Sequence, residues 1–239
     1  MKIVSWNCRG AFRDKYTKVA KYDADIYVIS EAENPEKYAD NREYGEYLNY
    51  ISDYNWLGDE EDKGILIFSK NNIKVENNFW NSKHKFFLSV KIKNSLDLVG
   101  VWTQNNKTLK SKYVEEAIPY LRIYEDKIKE SDKIIFCGDF NSNKIWDKEH
   151  KGRCHTDMVK LFEYMNLKSI YHEIHNEEQG KESIPTFFEY LHEDKPYHID
   201  YVFSKPDLVK NLEIGTYEEF VGGEDNNSDH VPLIFEVDL

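Results

Sequence analysis

Polar residues recur where strand-like runs begin or end. Trp6 leads into Asn7, and Ile29-Ser30 leads into Glu31. Cys137-Gly138 leads into Asp139-Phe140-Asn141, Asp200 opens a run, and Asp229-His230 precedes the last one. Carboxylates, amides and an imidazole delivered by several strand termini suit hydrolysis at phosphorus. Mg²⁺ takes hard oxygen ligands, commonly one or two carboxylates completed by water and phosphate. It neutralises charge developing on the phosphate. A second carboxylate can take a proton from water. A histidine held by a buried Asp can donate to the phosphate, or act as base when neutral. Amides can donate to phosphate oxygens. Taken singly, each residue has an ordinary structural explanation. Glu31 could be a solvated loop residue, Gly-Asp-Phe-Asn a turn, and Asp229-His230 a cap.

The elements that must position these groups alternate. Strand patterns cover Lys2–Trp6, Asp25–Ser30, Gly64–Ser69, Lys85–Lys91, Leu96–Thr103, Lys133–Cys137, Ile199–Phe203 and Val231–Val237. Asn94-Ser95 turns one run into the next, which predicts a hairpin. Helical patterns cover Lys15–Tyr22, Leu109–Lys129 and Thr156–Met165. Pro119 lies inside the second and predicts a kink or two helices there. Asn71–Asn81, Asn143–Cys154 and Tyr217–Ser228 read as loops. No repeat, linker or composition break is visible, so residues 1–239 read as one α/β domain.

Composition narrows the function classes. The 239 residues carry 32 basic and 44 acidic side chains, a net charge of −12. Such a chain does not coat nucleic acid nonspecifically, because that binding rests on counterion release by Lys and Arg. Cys8, Cys137 and Cys154 are scattered, with neither metal-type spacing nor a disulfide framework. No secretory signal pattern and no apolar run long enough for a membrane span is visible, so a cytoplasmic location is the default expectation. Nothing points to a protein partner.

The order of the motifs is more specific than any one of them. Ser-Trp-Asn near residue 7, Glu31 ending the second strand, Gly-Asp-Phe-Asn past the middle, Ile-Asp-Tyr late and Ser-Asp-His near the C-terminus together resemble the endonuclease/exonuclease/phosphatase superfamily. The likeness runs from Lys2 to Val237. It implies a four-layer sandwich, with two mixed β-sheets face to face and helices on both outer sides. It implies Glu31 as the main Mg²⁺ ligand (Mn²⁺ the alternative ion), with Asn7 and Asp229 beside the metal. Asp139 would orient or deprotonate the attacking water. Asn141 would bind phosphate, and His230, held by Asp200, would stabilise the transition state. Glu33 competes with Glu31, but the family's Asp-Ile-x-x-hydrophobic-x-Glu pattern matches Asp25 to Glu31. Two positions depart from the pattern. Ser30 replaces the usual Gln, and Trp102 stands where many relatives carry His or Tyr.

The substrate reading rests on charge and rings. Trp102 and Trp146 could stack on a base, and His198 could touch phosphate. The run Ser142 to Arg153, with Lys107, Lys110 and Lys112, could form a basic aromatic rim. Asp59-Glu60-Glu61-Asp62 opposes a long duplex. A Mg²⁺-dependent nuclease on short, single-stranded or damaged nucleic acid is the first reading. A hydrolase of a small soluble phosphate ester is the alternative, and a non-catalytic binding relative the third.

Overall fold

The computed structural model describes residues 1–80, 82–149, 153–223 and 228–239. The strands are β1 (Lys2–Asn7), β2 (Ile26–Ala32), β3 (Asp53–Glu60), β4 (Lys63–Ser69), β5 (Val75–Asn77), β6 (Phe87–Ile92), β7 (Leu96–Trp102), β8 (Asn105–Asn106), β9 (Ser111–Lys112) and β10 (Ile134–Asp139). They continue with β11 (Lys168–Ser169), β12 (Phe187–Phe188), β13 (Pro196–Tyr197), β14 (Asp200–Ser204), β15 (Val209–Ile214) and β16 (Leu233–Val237). The helices are α1 (Phe12–Ala20), α2 (Gly45–Tyr50), α3 (Val114–Ile123), α4 (Glu125–Glu130), α5 (His155–Tyr164), α6 (Ile170–His175) and α7 (Tyr217–Phe220).

Two six-stranded mixed sheets form, in the orders β15-β16-β1-β2-β4-β3 and β11-β14-β10-β7-β6-β5. Strand alternation divides the apolar residues between three cores. Ile3, Val28 and Ile67 from the first sheet meet Leu88, Leu98 and Cys137 from the second between the sheets. Val4, Trp6, Tyr27 and Phe68 face outward onto Phe12 and Val19 of α1. Val99, Phe136 and Phe203 face outward onto Ala117 and Leu121 of α3 and Phe162 of α5. This is the expected four-layer sandwich. Gly100 lets the sheets approach, because a Cβ there would stand 2.9 Å from Val28 Cγ1.

The expected strands form within a residue or two of their limits, and the β6–β7 hairpin turns through Lys93 and Asn94 at positive φ. Three expectations change. The long helical pattern is two helices, but they part at Tyr124 rather than at Pro119, which α3 accommodates. The Asn71–Asn81 loop contains β5, and the Tyr217–Ser228 loop contains α7. Asn81, His150 to Gly152 and Glu224 to Asn227, parts of three expected loops, lie outside the described residues.

Gly138 places the next residue. Its φ is +138°, and a Cβ would collide with the Val101 carbonyl oxygen of the neighbouring strand. Gly138→Ala is expected to cost about 1–3 kcal/mol from the dihedral alone. Each kcal/mol lowers the melting temperature of a chain this size by roughly 2–4 °C. Thermal unfolding checks this, and a variant that melts with the wild type contradicts it.

Candidate active site

β1, β2, β10 and β14 end or begin on one side of the two sheets. In register, Asn7 pairs with Ser30 across the parallel β1–β2 ladder. Asp139 pairs with Asp200 across β10–β14 and with Trp102 across β10–β7. The β2–β4 register shifts between Ser30 and Ala32, and the bulged residue is Glu31, at φ 60°. A bulge re-aims one side chain out of the ladder.

Asp139 is 1 % exposed. Its Oδ2 accepts from Asn7 Nδ2 at 3.0 Å and Asn141 Nδ2 at 2.8 Å, and its Oδ1 from the Asn141 backbone N–H at 2.8 Å. Asn7 Nδ2 also lies 3.2 Å from Glu31 Oε1. His230 is also buried, with Nδ1 2.8 Å from Asp200 Oδ2 and Nε2 3.8 Å from Asp139 Oδ2. Burial raises the Asp139 pKa and the Asp200 charge adds to it, against relief from His230, bringing it to about 7. Burial acts to lower the His230 pKa, but Asp200 and Asp139 outweigh it and raise it to about 10. At neutral pH the site therefore pairs an imidazolium with a carboxyl group that burial holds well above the usual carboxylate range.

The first and last motifs lock together. Trp6 Nε1 donates to the His230 carbonyl at 2.9 Å, and Ser228 Oγ donates to the Asn7 carbonyl at 2.6 Å while accepting from His230 N–H. Thr186 Oγ1 accepts from both Ile199 N–H and Asp200 N–H at 3.0 Å. Thr186 belongs to a short segment whose two-residue strand carries too little pattern to be read from sequence.

Several expected roles change. Asn7 turns its amide nitrogen to the two carboxylates, and its Oδ1 accepts from Arg9 N–H at 3.0 Å. In this arrangement it bridges Glu31 and Asp139. The Asp229 Oδ2 lies 3.5 Å from Arg9 Nε, and its charge also acts on His230. Both amide hydrogens of Asn141 are spent, on Asp139 and on the Thr103 carbonyl at 3.1 Å, so it holds Asp139 rather than offering a free donor. His198 is no phosphate contact. It is 4 % exposed, its Nδ1 bonds the Ile184 carbonyl at 2.7 Å, and burial lowers its pKa to about 4. Trp102, 5 % exposed, stacks on Phe86 at 5.6 Å and belongs chiefly to the inter-sheet core.

Glu31 and Glu33 separate cleanly. Glu33 is buried and accepts from Phe12 N–H and Arg13 N–H, both at 2.9 Å, closing the start of α1, where Ala11 offers no side-chain cap. The Glu31 side chain retains 18 % exposure and pairs with Lys63. Among the described residues, Asp139, Asp200 and His230 form the group of potential ligands lying within 4.8 Å of one another. All three are buried, and their charges and hydrogen bonds already satisfy one another. A hard, hydrated cation fits Glu31 better, because its carboxylate is partly exposed and water can enter, and the ion would displace the Lys63 ammonium. Glu31→Gln is expected to weaken Mg²⁺ binding by about tenfold or more at little cost in stability. Glu33→Ala is expected to lose about 1–3 kcal/mol of stability with Mg²⁺ binding retained. Calorimetry and thermal unfolding of both variants check this.

Two clefts meet at the site. One, about 310 Å³, is lined by Glu31, Trp102, Thr103, Gln104, Asn105, Tyr113 and Asn141. The other, about 330 Å³, is lined by Tyr113, Asn141, Trp146, Glu149, Phe187, Glu189, Tyr197 and Ile199. Asn141 and Tyr113 belong to both, so they form the ridge between them. Tyr113, at φ 48° and ψ −113°, precedes α3, whereas the helical pattern over Leu109–Lys129 reads it as one more residue of an apolar helix face, so no sequence signal marks a site there. No Lys or Arg lines either cleft among the described residues. Among the described residues, the expected basic rim does not line these clefts. Lys107, Lys110, Lys112, Lys144, Lys148 and Arg153 are exposed outside both linings, while His150, Lys151 and Gly152 lie outside the described residues. The acidic run sits at the β3–β4 turn, where Asp59 pairs with Lys85 and Asp62 with Lys37.

No family model and no curated protein matches the sequence. Solved structures do match, over the full length of both chains. One is a 3′–5′ exonuclease from Neisseria meningitidis, with a TM-score of 0.70 and 17% identity. Another is a 3′ phosphatase from Neisseria bound to a product DNA hairpin, at 0.67 and 18%. A third is an AP endonuclease from Archaeoglobus fulgidus, at 0.67 and 19%.

Proposed function

We propose that this chain, whose fold is that of the endonuclease/exonuclease/phosphatase superfamily, is a metal-dependent phosphodiester hydrolase acting on short or single-stranded nucleic acid. One observation carries the reading. The buried Asp139 carboxyl stands 3.8 Å from His230 Nε2, whose Nδ1 is held by Asp200 at 2.8 Å, on strand ends that also deliver a partly exposed glutamate.

The roles follow from what each group can still do. Glu31 would hold Mg²⁺ or Mn²⁺, and the ion, when bound, supplies positive charge to the phosphate oxygens. Asp139 takes a proton from the attacking water, with Asn7 and Asn141 fixing both of its oxygens. His230 donates from Nε2 to a phosphate oxygen as charge builds there, and Asp200 keeps its proton in place. Tyr113 offers a hydroxyl at the ridge between the clefts.

The alternative substrate, a small soluble phosphate ester, draws on the lack of Lys or Arg in both linings among the described residues. Labelled single-stranded DNA, duplex DNA, abasic duplex and RNA, each with Mg²⁺ and with EDTA, separate the two readings. Metal-dependent cleavage of at least one is expected. Intact substrates throughout, with hydrolysis of small esters, would move the assignment to the alternative. The bound nucleic acid should also dissociate as salt rises, with a shallow slope given so few basic contacts.

A further inference from the structure

We infer that the aromatic cleft is a nucleobase pocket that selects bases bearing an exocyclic amino group. The inference rests on the phosphodiesterase reading only for which group reacts beside the pocket.

The cleft holds about 330 Å³, near the lower end of small-molecule pockets, which run from about 300 Å³ upward. That is room for one nucleoside and not for a strand. Its walls are planar. Trp146 and Tyr197 stand 5.2 Å apart at 42°, and Tyr197 and Phe187 6.3 Å apart at 29°. Phe187 in turn lies 4.7 Å from the His230 ring. A ring seated on this wall therefore lies beside His230 and the Asn141 ridge, with its phosphate directed toward the site. A bare sugar would leave the Trp146 end of the wall unfilled. Tyr197 and Phe187 are fixed as directly opposed residues of the β12–β13 ladder, so the wall is preformed.

The charged groups of the lining, among the described residues, are acidic. Glu149 and Glu189 both face the cleft, and no cation among the described residues does. Two carboxylates repel a phosphate placed inside and accept hydrogen bonds from amino groups. Cytosine and adenine present such donors, at N4 and N6, whereas thymine presents an acceptor at O4. The rings thus set the class of ligand, and the carboxylates set which members of it are held.

The test is calorimetry on the full chain in Mg²⁺, with dCMP, dTMP and deoxyribose 5-phosphate as probes. dCMP is expected to bind about tenfold or more tighter than deoxyribose 5-phosphate, through stacking. It is expected to exceed dTMP by about tenfold, through its amino group. Replacing both carboxylates (Glu149→Gln, Glu189→Gln) should remove the preference over dTMP while dTMP itself still binds. Trp146→Ala should weaken both nucleotides together. Equal binding of dCMP and deoxyribose 5-phosphate would overturn the base pocket, and equal binding of dCMP and dTMP would overturn the role of the carboxylates. Bis(p-nitrophenyl) phosphate, which carries no base, keeps the two readings apart. Its Mg²⁺-dependent hydrolysis without the nucleotide ranking sinks the pocket and leaves the hydrolase. The ranking without hydrolysis of any phosphodiester sinks the hydrolase and leaves the pocket.

Discussion

Asp139→Asn is expected to lower the rate of Mg²⁺-dependent phosphodiester cleavage by about 10²–10⁴-fold. An amide cannot take a proton from water. The change also places a donor where two acceptors stood. Asn7 Nδ2 and Asn141 Nδ2 point at one oxygen, and the Asn141 backbone N–H points at the other. Either amide orientation therefore opposes one donor with another. Loss of that acceptor destabilises, and loss of a buried charge beside Asp200 stabilises, so the effect on folding is the smaller one. The pH dependence has a definite sign. The base form of Asp139 grows as pH rises through about 7, so the wild-type rate climbs across that region and the residual rate of the variant does not. The folded pKa lies above the ordinary value of 3.8, so ionising Asp139 costs stability. The protein is favoured below pH 3.8 by this group, and that contribution is lost as pH rises through about 7. The metal-free variant should lack this loss. Rates from pH 5 to 9 and thermal unfolding over the same range check both statements. A variant that cleaves at the wild-type rate contradicts the role of Asp139.

The second large effect belongs to Asp200. Asp200→Asn is expected to slow cleavage by about 10²–10³-fold, the loss typical when a positioned charge donor is removed. Its carboxylate raises the His230 pKa against the opposing effect of burial. With the carboxylate gone, burial prevails and the imidazole becomes neutral near physiological pH. The proton at Nε2 is then no longer assured. In the metal-free protein the His230 resonance should titrate near pH 10 in the wild type and several units lower in the variant. The charged His230 is itself stabilising. Its contribution is full below the ordinary pKa of 6.5 and is lost as pH rises through about 10. Asp200→Asn should flatten that alkaline loss. A His230 titration that does not move would contradict the account of this pair.

The residues that converge at the site were legible because buried strands read as apolar runs, and polar residues at their ends stand out. Asp139 after Ile134 to Gly138 is the clearest case, and burial of the whole run bears it out. The ordered motifs carried the four-layer sandwich further than periodicity could. What escaped has physical reasons. β3 and β15 are the two edge strands of the first sheet, half-buried and without clean alternation. The turn of the Asn7 amide depends on Arg9 N–H and two carboxylates from other strands, so residue type alone does not specify it. His198 precedes Ile-Asp-Tyr, a position that suits a phosphate contact, yet its ring packs among Tyr171 and Tyr201. The Lys63–Glu31 pair joins residues on β4 and β2 through side chains that adjacency in sequence does not connect. The acidic lining from Glu149 and Glu189 depends on two loops meeting, and local charge around Lys144 to Arg153 pointed the other way.

The most direct test is a single-turnover reaction. A 5′-labelled single-stranded oligonucleotide is incubated with excess protein, first in EDTA and then with Mg²⁺, while calorimetry follows metal binding in parallel. Intact oligonucleotide in EDTA and shortened product after Mg²⁺ is added, with the product lost in Asp139→Asn, is the expected result. Mg²⁺ binding without any phosphodiester cleavage, or cleavage that persists undiminished in Asp139→Asn, would contradict a hydrolytic centre built on these strand ends.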